Sequence, residues 1–201
     1  DGQIVIVSEY APDGSLSEFL KGAGALPMRK AVELAIGVLN GLAFLHSKSI
    51  IHRDLKPANI LLQGETPRLA DFGISRMIKM ISVSVSMSGT PSYMAPEAFD
   101  RKRNFQTDIW SVGIILYEML NGVLPFPHDS LPELFGAIIK DEPKLFIAAV
   151  PDNLRSIVLK ALAKEPTERY QTALEMRDRL ADFLAGVYQQ NVETTISNST
   201  F

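Results

Sequence analysis

The sequence predicts a mainly α fold, a helical bundle with one small β-hairpin, and three observations carry that expectation. Val32, Ala35, Ile36, Leu39, Leu42, Ala43 and Leu45 recur at helical spacing across residues 28–46. Residues 131–140, 153–163 and 172–185 read as three further amphipathic helices divided by Pro-containing loops. Strand signals are few and short: Ile60-Leu61-Leu62 and Arg68-Leu69-Ala70 flank a turn over 64–67.

Taken in order, the apolar run Ile4-Val5-Ile6-Val7 opens a strand over 4–9, and Ala11-Pro12-Asp13-Gly14 is a turn signal. Ser15 is an N-cap for a short helix through Leu20, and Pro27 marks the start of the long helix. After the hairpin, residues 74–93 lose periodicity and become rich in Ser and Met, which predicts a long functional loop. Residues 108–120 are dense in apolar side chains and predict a buried helix. One domain over 1–187 followed by a polar linker or tail over 188–201 is the expected organisation. No internal repeat is visible.

Composition narrows the class. Across 201 residues, 46% are hydrophobic and 21% charged, enough for one sizeable core. Twenty basic against 23 acidic residues give a net charge of −3, which argues against a nucleic-acid partner. The only local basic cluster is Arg101-Lys102-Arg103, which reads as a solvated loop. There is no cysteine, so thiol catalysis, disulfides and Cys-based zinc sites are excluded, and a cytoplasmic location is expected. No apolar run approaches the roughly 18 residues of a membrane span.

The chemistry concentrates in His52-Arg53-Asp54-Leu55-Lys56-Pro57-Ala58-Asn59 and in Asp71-Phe72-Gly73. Phosphoryl transfer needs a carboxylate to hold the attacking hydroxyl, a divalent metal to neutralise phosphates and a cation for developing charge. Asp54, Lys56 and Asn59 can supply hydroxyl acceptor, phosphate contact and metal ligand, and Asp71 offers a hard oxygen suited to Mg²⁺. A lone D-F-G recurs by chance; the eight-residue run followed by it does not.

These residues resemble the eukaryotic-type (Hanks-type) protein kinase family, whose catalytic loop is H-R-D-L-x-x-x-N and whose metal motif is D-F-G. Further family motifs follow in order: Gly89-Thr90-Pro91-Ser92-Tyr93-Met94-Ala95-Pro96-Glu97, Asp108-Ile109-Trp110-Ser111-Val112-Gly113, and Arg169. The style is similar to bacterial members. The resemblance covers residues 4–185 and implies the family's carboxy-terminal lobe, with only the last strand and hinge of its amino-terminal lobe.

By that resemblance Asp54 is the catalytic base, Lys56 the transition-state contact, and Asn59 and Asp71 the magnesium ligands. Glu9, Tyr10 and Ala11 match the adenine-binding hinge, Ser8 the gatekeeper, and Leu61 the floor beneath the adenine. Glu97 and Arg169 match a buried ion pair, Asp108 an acceptor for the catalytic-loop backbone, and His52 and Phe72 an internal hydrophobic stack. Lys56 together with Thr90 is the Ser/Thr pattern. Arg53 is placed to meet a phosphate on the segment ahead of Gly89, where Ser86 or Ser88 would be autophosphorylated. The implied cofactors are ATP and Mg²⁺; the implied partners are proteins with Ser/Thr acceptors and an autophosphorylating or dimerising partner kinase.

The family's G-x-G-x-x-G-x-V loop and V-A-I-K strand do not occur in these 201 residues, and Gly22-Ala23-Gly24 lies after the hinge. The expectation is a fragment of a longer kinase, inactive alone, with the cytosolic part of a membrane-anchored kinase as one setting; the alternative is a non-catalytic kinase-like binding module. His46 is expected to end its helix against the dipole, and the methionines to be adaptable packing.

Overall fold

The computed structural model describes residues 10–71, 91–128, 130–147 and 149–198, with side chains through Val187. The first helix, α1 (Leu16–Ala23), starts where the sequence predicts. Ser15 Oγ accepts from Glu18 N, and the Glu18 carboxylate accepts from Ser15 N at 2.7 Å, which closes a capping box. That backbone donor also holds the Glu18 carboxyl below its ordinary pKa. The helix outruns Leu20 by a turn and stops at Gly24, whose φ of 64° suits glycine.

The long helix α2 (Met28–Ser47) buries Val32, Leu34, Ala35, Val38, Leu39 and Leu42, the stripe its periodicity predicts. It packs on the strand Thr66–Leu69 and on the helices Phe105–Asn121 and Ala173–Asn198. Against the hairpin its surface is pared to glycine. A Cβ on Gly37 would stand 2.5 Å from Pro67 Cγ, and one on Gly41 3.0 Å from Leu69 Cδ1. The two residues are one turn apart, so both face the same strand.

Strands β1 (Ile60–Gln63) and β2 (Thr66–Leu69) pair antiparallel, with Ile60 opposite Leu69 and Leu62 opposite Pro67. The turn is therefore only Gly64-Glu65. Pro67, assigned to the turn by sequence, lies inside β2, which tolerates it because this two-stranded sheet leaves β2 an edge.

A four-residue helix, α3 (Pro96–Phe99), precedes the central helix α4 (Phe105–Asn121). α4 begins three residues before Asp108, where the sequence predicts its start, because Asn104 and Thr107 form a second capping box. It is buried on nearly every side, with Trp110, Ile114, Leu116 and Tyr117 fully enclosed, and it ends on left-handed Gly122. Two helices, α5 (Leu131–Lys140) and α6 (Asp152–Ala161), match their predicted segments to within a turn. The last, α7 (Ala173–Asn198), overshoots: the stretch expected to be a loose polar tail is helical backbone through Asn198. Polar composition there does not end the helix.

One contiguous core joins α1, α2, α4, α5, α6 and α7. Lys164 ties two of its edges, donating to Ile138 O at 2.8 Å near the end of α5 while its ammonium sits over the rings of Phe126 and Trp110. Burial pulls that ammonium down to about 8. This is the mainly α bundle with a small hairpin that the sequence predicts. Among the described residues no helix is long and apolar enough to cross a membrane.

Candidate active site

The loop between α2 and β1 is held from beneath by one carboxylate. Asp108, 1% exposed, accepts from His52 N through Oδ2 and from Arg53 N through Oδ1, each at 2.9 Å. His46 Nε2 meets the same Oδ2 at 2.9 Å, and its ring stacks on Phe105 at 4.5 Å. Three contacts from two segments thus converge on a residue at the start of α4. They hold Arg53 at φ 71°, a left-handed conformation that non-glycine residues rarely adopt. His52 points inward; burial pushes its pKa below the ordinary value, against the opposing charges of Asp108 and Asp54.

Above that anchor the chemical groups meet. Lys56 Nζ donates to Asp54 Oδ2 at 3.0 Å. Asn59 Nδ2 donates to Asp54 O at 2.7 Å and to Asp54 Oδ2 at 3.2 Å. The turn Pro57–Asn59 makes this possible, since Pro57 presets its first φ and Asn59 N returns to Lys56 O at 2.9 Å. The Asp54 side chain stays 45% exposed, open to an incoming group, while Lys56 is 21% exposed. Both Asn59 donor bonds use its amide nitrogen, which turns Oδ1 away from Asp54 as the remaining hard oxygen.

Asp71 reaches the same end of the hairpin by register. Ile60 pairs with Leu69, the next residue Ala70 donates to Asn59 O at 2.9 Å, and Asp71 follows at φ 59°, exposed. On the other edge of β1, Leu62 N donates to Gly14 O and Ser15 bridges Leu61. The 11–14 turn, with half-buried Ala11, therefore runs up to the edge of β1 beside half-buried Leu61. Tyr10 is exposed. Ser8, Glu9, Phe72, Ser86, Ser88 and Thr90 fall outside the described residues.

Arg53, Asp54, Lys56, Pro91, Tyr93 and Met94 line a cleft between the loop and the 91–98 segment. That segment is clamped by Glu97 and Arg169. Their bidentate pair has both contacts at 2.8 Å, and Arg169 also donates to Ala163 O, Gln106 O and Lys164 O while covering the Trp110 ring.

Two participants escape sequence reasoning. His46 lies in the last turn of α2, as its sequence position suggests, but it also engages Asp108 across 62 positions of chain, and no local pattern signals such a partner. Tyr93 OH donates to Glu118 Oε2 at 2.7 Å, and burial raises the pKa of both groups. Helical periodicity places Glu118 on α4 as an interruption of an apolar run and gives no sign that it faces the cleft wall.

The protein kinase domain family matches residues 1–194. A probable serine/threonine-protein kinase of Clostridium perfringens is 38% identical over 178 residues, covering 85% of this chain and 26% of the relative. PknB of Mycobacterium leprae is 36% identical over 180 residues, 86% of this chain and 29% of the relative. Mouse serine/threonine-protein kinase 36 is 38% identical over 172 residues, 84% of this chain and 13% of the relative. The chain thus spans less than a third of the length of each. With its Asp54–Lys56–Asn59 cluster, its clamped 91–98 segment and a family match along nearly its whole length, the chain belongs to the eukaryotic-type (Hanks-type) serine/threonine protein kinase family.

Proposed function

We propose that this chain carries the phosphoryl-transfer residues of a Ser/Thr protein kinase that moves the γ-phosphoryl group of ATP to Ser/Thr hydroxyls of proteins. The observation that supports it most is the meeting of Asp54, Lys56 and Asn59 on a loop pinned through Asp108. Asp54 accepts the hydroxyl's proton and orients the oxygen for attack; Lys56, drawn to the same carboxylate, is a cation within reach of developing negative charge.

The residues present fit the implied cofactors. Among the described residues no three acidic or histidine side chains gather into a metal cage. Mg²⁺ is ordinarily held by one or two protein oxygens together with substrate phosphates, so Asn59 Oδ1 and Asp71 are a sufficient donor set. When bound, magnesium neutralises the triphosphate and ATP supplies the phosphoryl group. Ala11 and Leu61 flank the place where the adenine would lie. Arg53, whose Nε has no partner among the described residues, is the cation for a phosphate on Ser86 or Ser88.

The test is phosphate transfer to a generic Ser/Thr protein by the full product of the gene that encodes this chain. Asp54→Asn should lower turnover by about 10²–10⁴-fold, the usual worth of a positioned base. The 201-residue chain alone, without a Gly-rich loop or a V-A-I-K lysine in its sequence, should turn over poorly. Equal turnover by wild type and variant would overturn the assignment, and it would favour the non-catalytic binding module.

A further inference from the structure

Three consecutive cations, Arg101, Lys102 and Arg103, stand exposed at the turn between α3 and α4. The turn is tightly built. Arg101 N donates to Ala98 O at 3.1 Å, Lys102 N to Glu97 O at 3.2 Å, and Arg101 takes φ 61°. Its place relative to the site is fixed by Arg103, whose Nη1 donates to Arg53 O at 3.4 Å, one residue before Asp54. The cluster read as a solvated loop in sequence therefore hangs beside the loop that holds the acceptor hydroxyl. None of its three side chains makes an ion pair among the described residues, and all three residues are exposed. With Arg53 on the adjoining cleft wall and Lys56 paired to Asp54, the cations of this flank outnumber the one exposed acid beside them, Asp100, on a protein whose net charge is −3.

We propose that Arg101, Lys102 and Arg103 form a specificity surface for acidic side chains flanking the acceptor residue of a protein substrate. The inference rests on the proposed kinase reading and names the substrate class it serves. A local cationic patch on an otherwise acidic protein steers acidic segments toward it and repels basic ones. Held at the side of Asp54 by Arg103, it would capture flanking Asp or Glu while the hydroxyl reaches the base. Such contacts are exposed, so they act on encounter and binding and fade as salt screens them.

The experiment uses the full gene product and three peptides that share one acceptor serine, flanked by glutamates, glutamines or lysines. Arg101→Gln combined with Lys102→Gln leaves Arg103 on the catalytic loop. This variant should raise KM for the glutamate peptide about fivefold, in line with two exposed ion pairs, and leave the glutamine peptide unaffected. The difference should shrink toward nothing at about 1 M salt, where the screening length is about 3 Å. Reversal to glutamate at both positions should transfer the preference to the lysine peptide. Fluorescence anisotropy of the same labelled peptides without ATP reads binding separately. If no peptide is phosphorylated but the glutamate peptide still binds best, the kinase reading fails and this surface stands. Equal binding of all three peptides overturns the surface, as does a loss shared by all three in the variant. A preference for the glutamate peptide that exists only after phosphatase treatment overturns it too, because the cations would then be serving the protein's own phosphorylated segment.

Discussion

Asp54 takes both of its side-chain donors from residues two and five positions further along its own loop, so its orientation depends on local backbone more than on distant packing. Lys56→Met should therefore leave the fold intact and lower turnover about tenfold or more with KM for the protein substrate little changed, since a cation serving developing charge acts in the transition state. Steady-state kinetics on the full gene product separate the two constants. The neighbouring His52 makes a different expectation, about pH. Its folded pKa lies below the unfolded value of about 6.5, so the unfolded chain binds the extra proton first as pH falls. The stability it contributes is present above about pH 6.5 and is lost as pH drops through the folded value. Urea midpoints at about pH 7 and about pH 5 should diverge more in wild type than in His52→Phe. Residues of this kind were legible in sequence because the short pattern around Asp54 carries its own geometry. His46 was not, because its role exists only where α2 crosses α4.

At the scale of elements, the hairpin is set against α2 by absent side chains. Gly37→Val would drive a branched side chain into the Pro67 ring, and Gly41→Val would meet Leu69. Each should destabilise the chain by about 1–3 kcal/mol in denaturant unfolding, the cost of overpacking. Gly22→Val, with nothing within reach of its Cβ, should change little by comparison. Since Asn59 and Asp71 sit at the two strand ends, the Gly37 change should also weaken magnesium-dependent nucleotide binding. Helix starts followed sequence signals closely: Ser15 capped α1 as expected, and α5 began at Leu131. Helix ends followed them less well. α7 runs to Asn198 through residues whose composition suggests a linker, and the Pro67 strand reads as a turn, because Asn, Thr, Ser and Pro report local preference while strand pairing and helix continuation are decided by neighbours.

For the whole molecule, the 52–59 loop and the 91–98 segment are fastened to the same buried helix by charge. Asp108 takes the loop, and the Glu97–Arg169 pair takes the segment across Trp110. Arg169 side-chain exposure is 0% and its guanidinium is satisfied by carboxylate and carbonyls, so Arg169→Met should strand Glu97 and cost about 3–5 kcal/mol in denaturant unfolding. Both Asp108 and the ion pair could be named from sequence through ordered motifs, although the distances that make them anchors are tertiary. The proposed site has Asp54, Asn59 and Asp71 serving one magnesium-bound triphosphate. A structure of the full gene product with Mg²⁺ and a non-hydrolysable ATP analogue tests it most directly. The expected result is a metal coordinated by Asn59 and Asp71 oxygens with Asp54 facing the terminal phosphate; a metal bound elsewhere, with Asp54 turned from the phosphates, would contradict it.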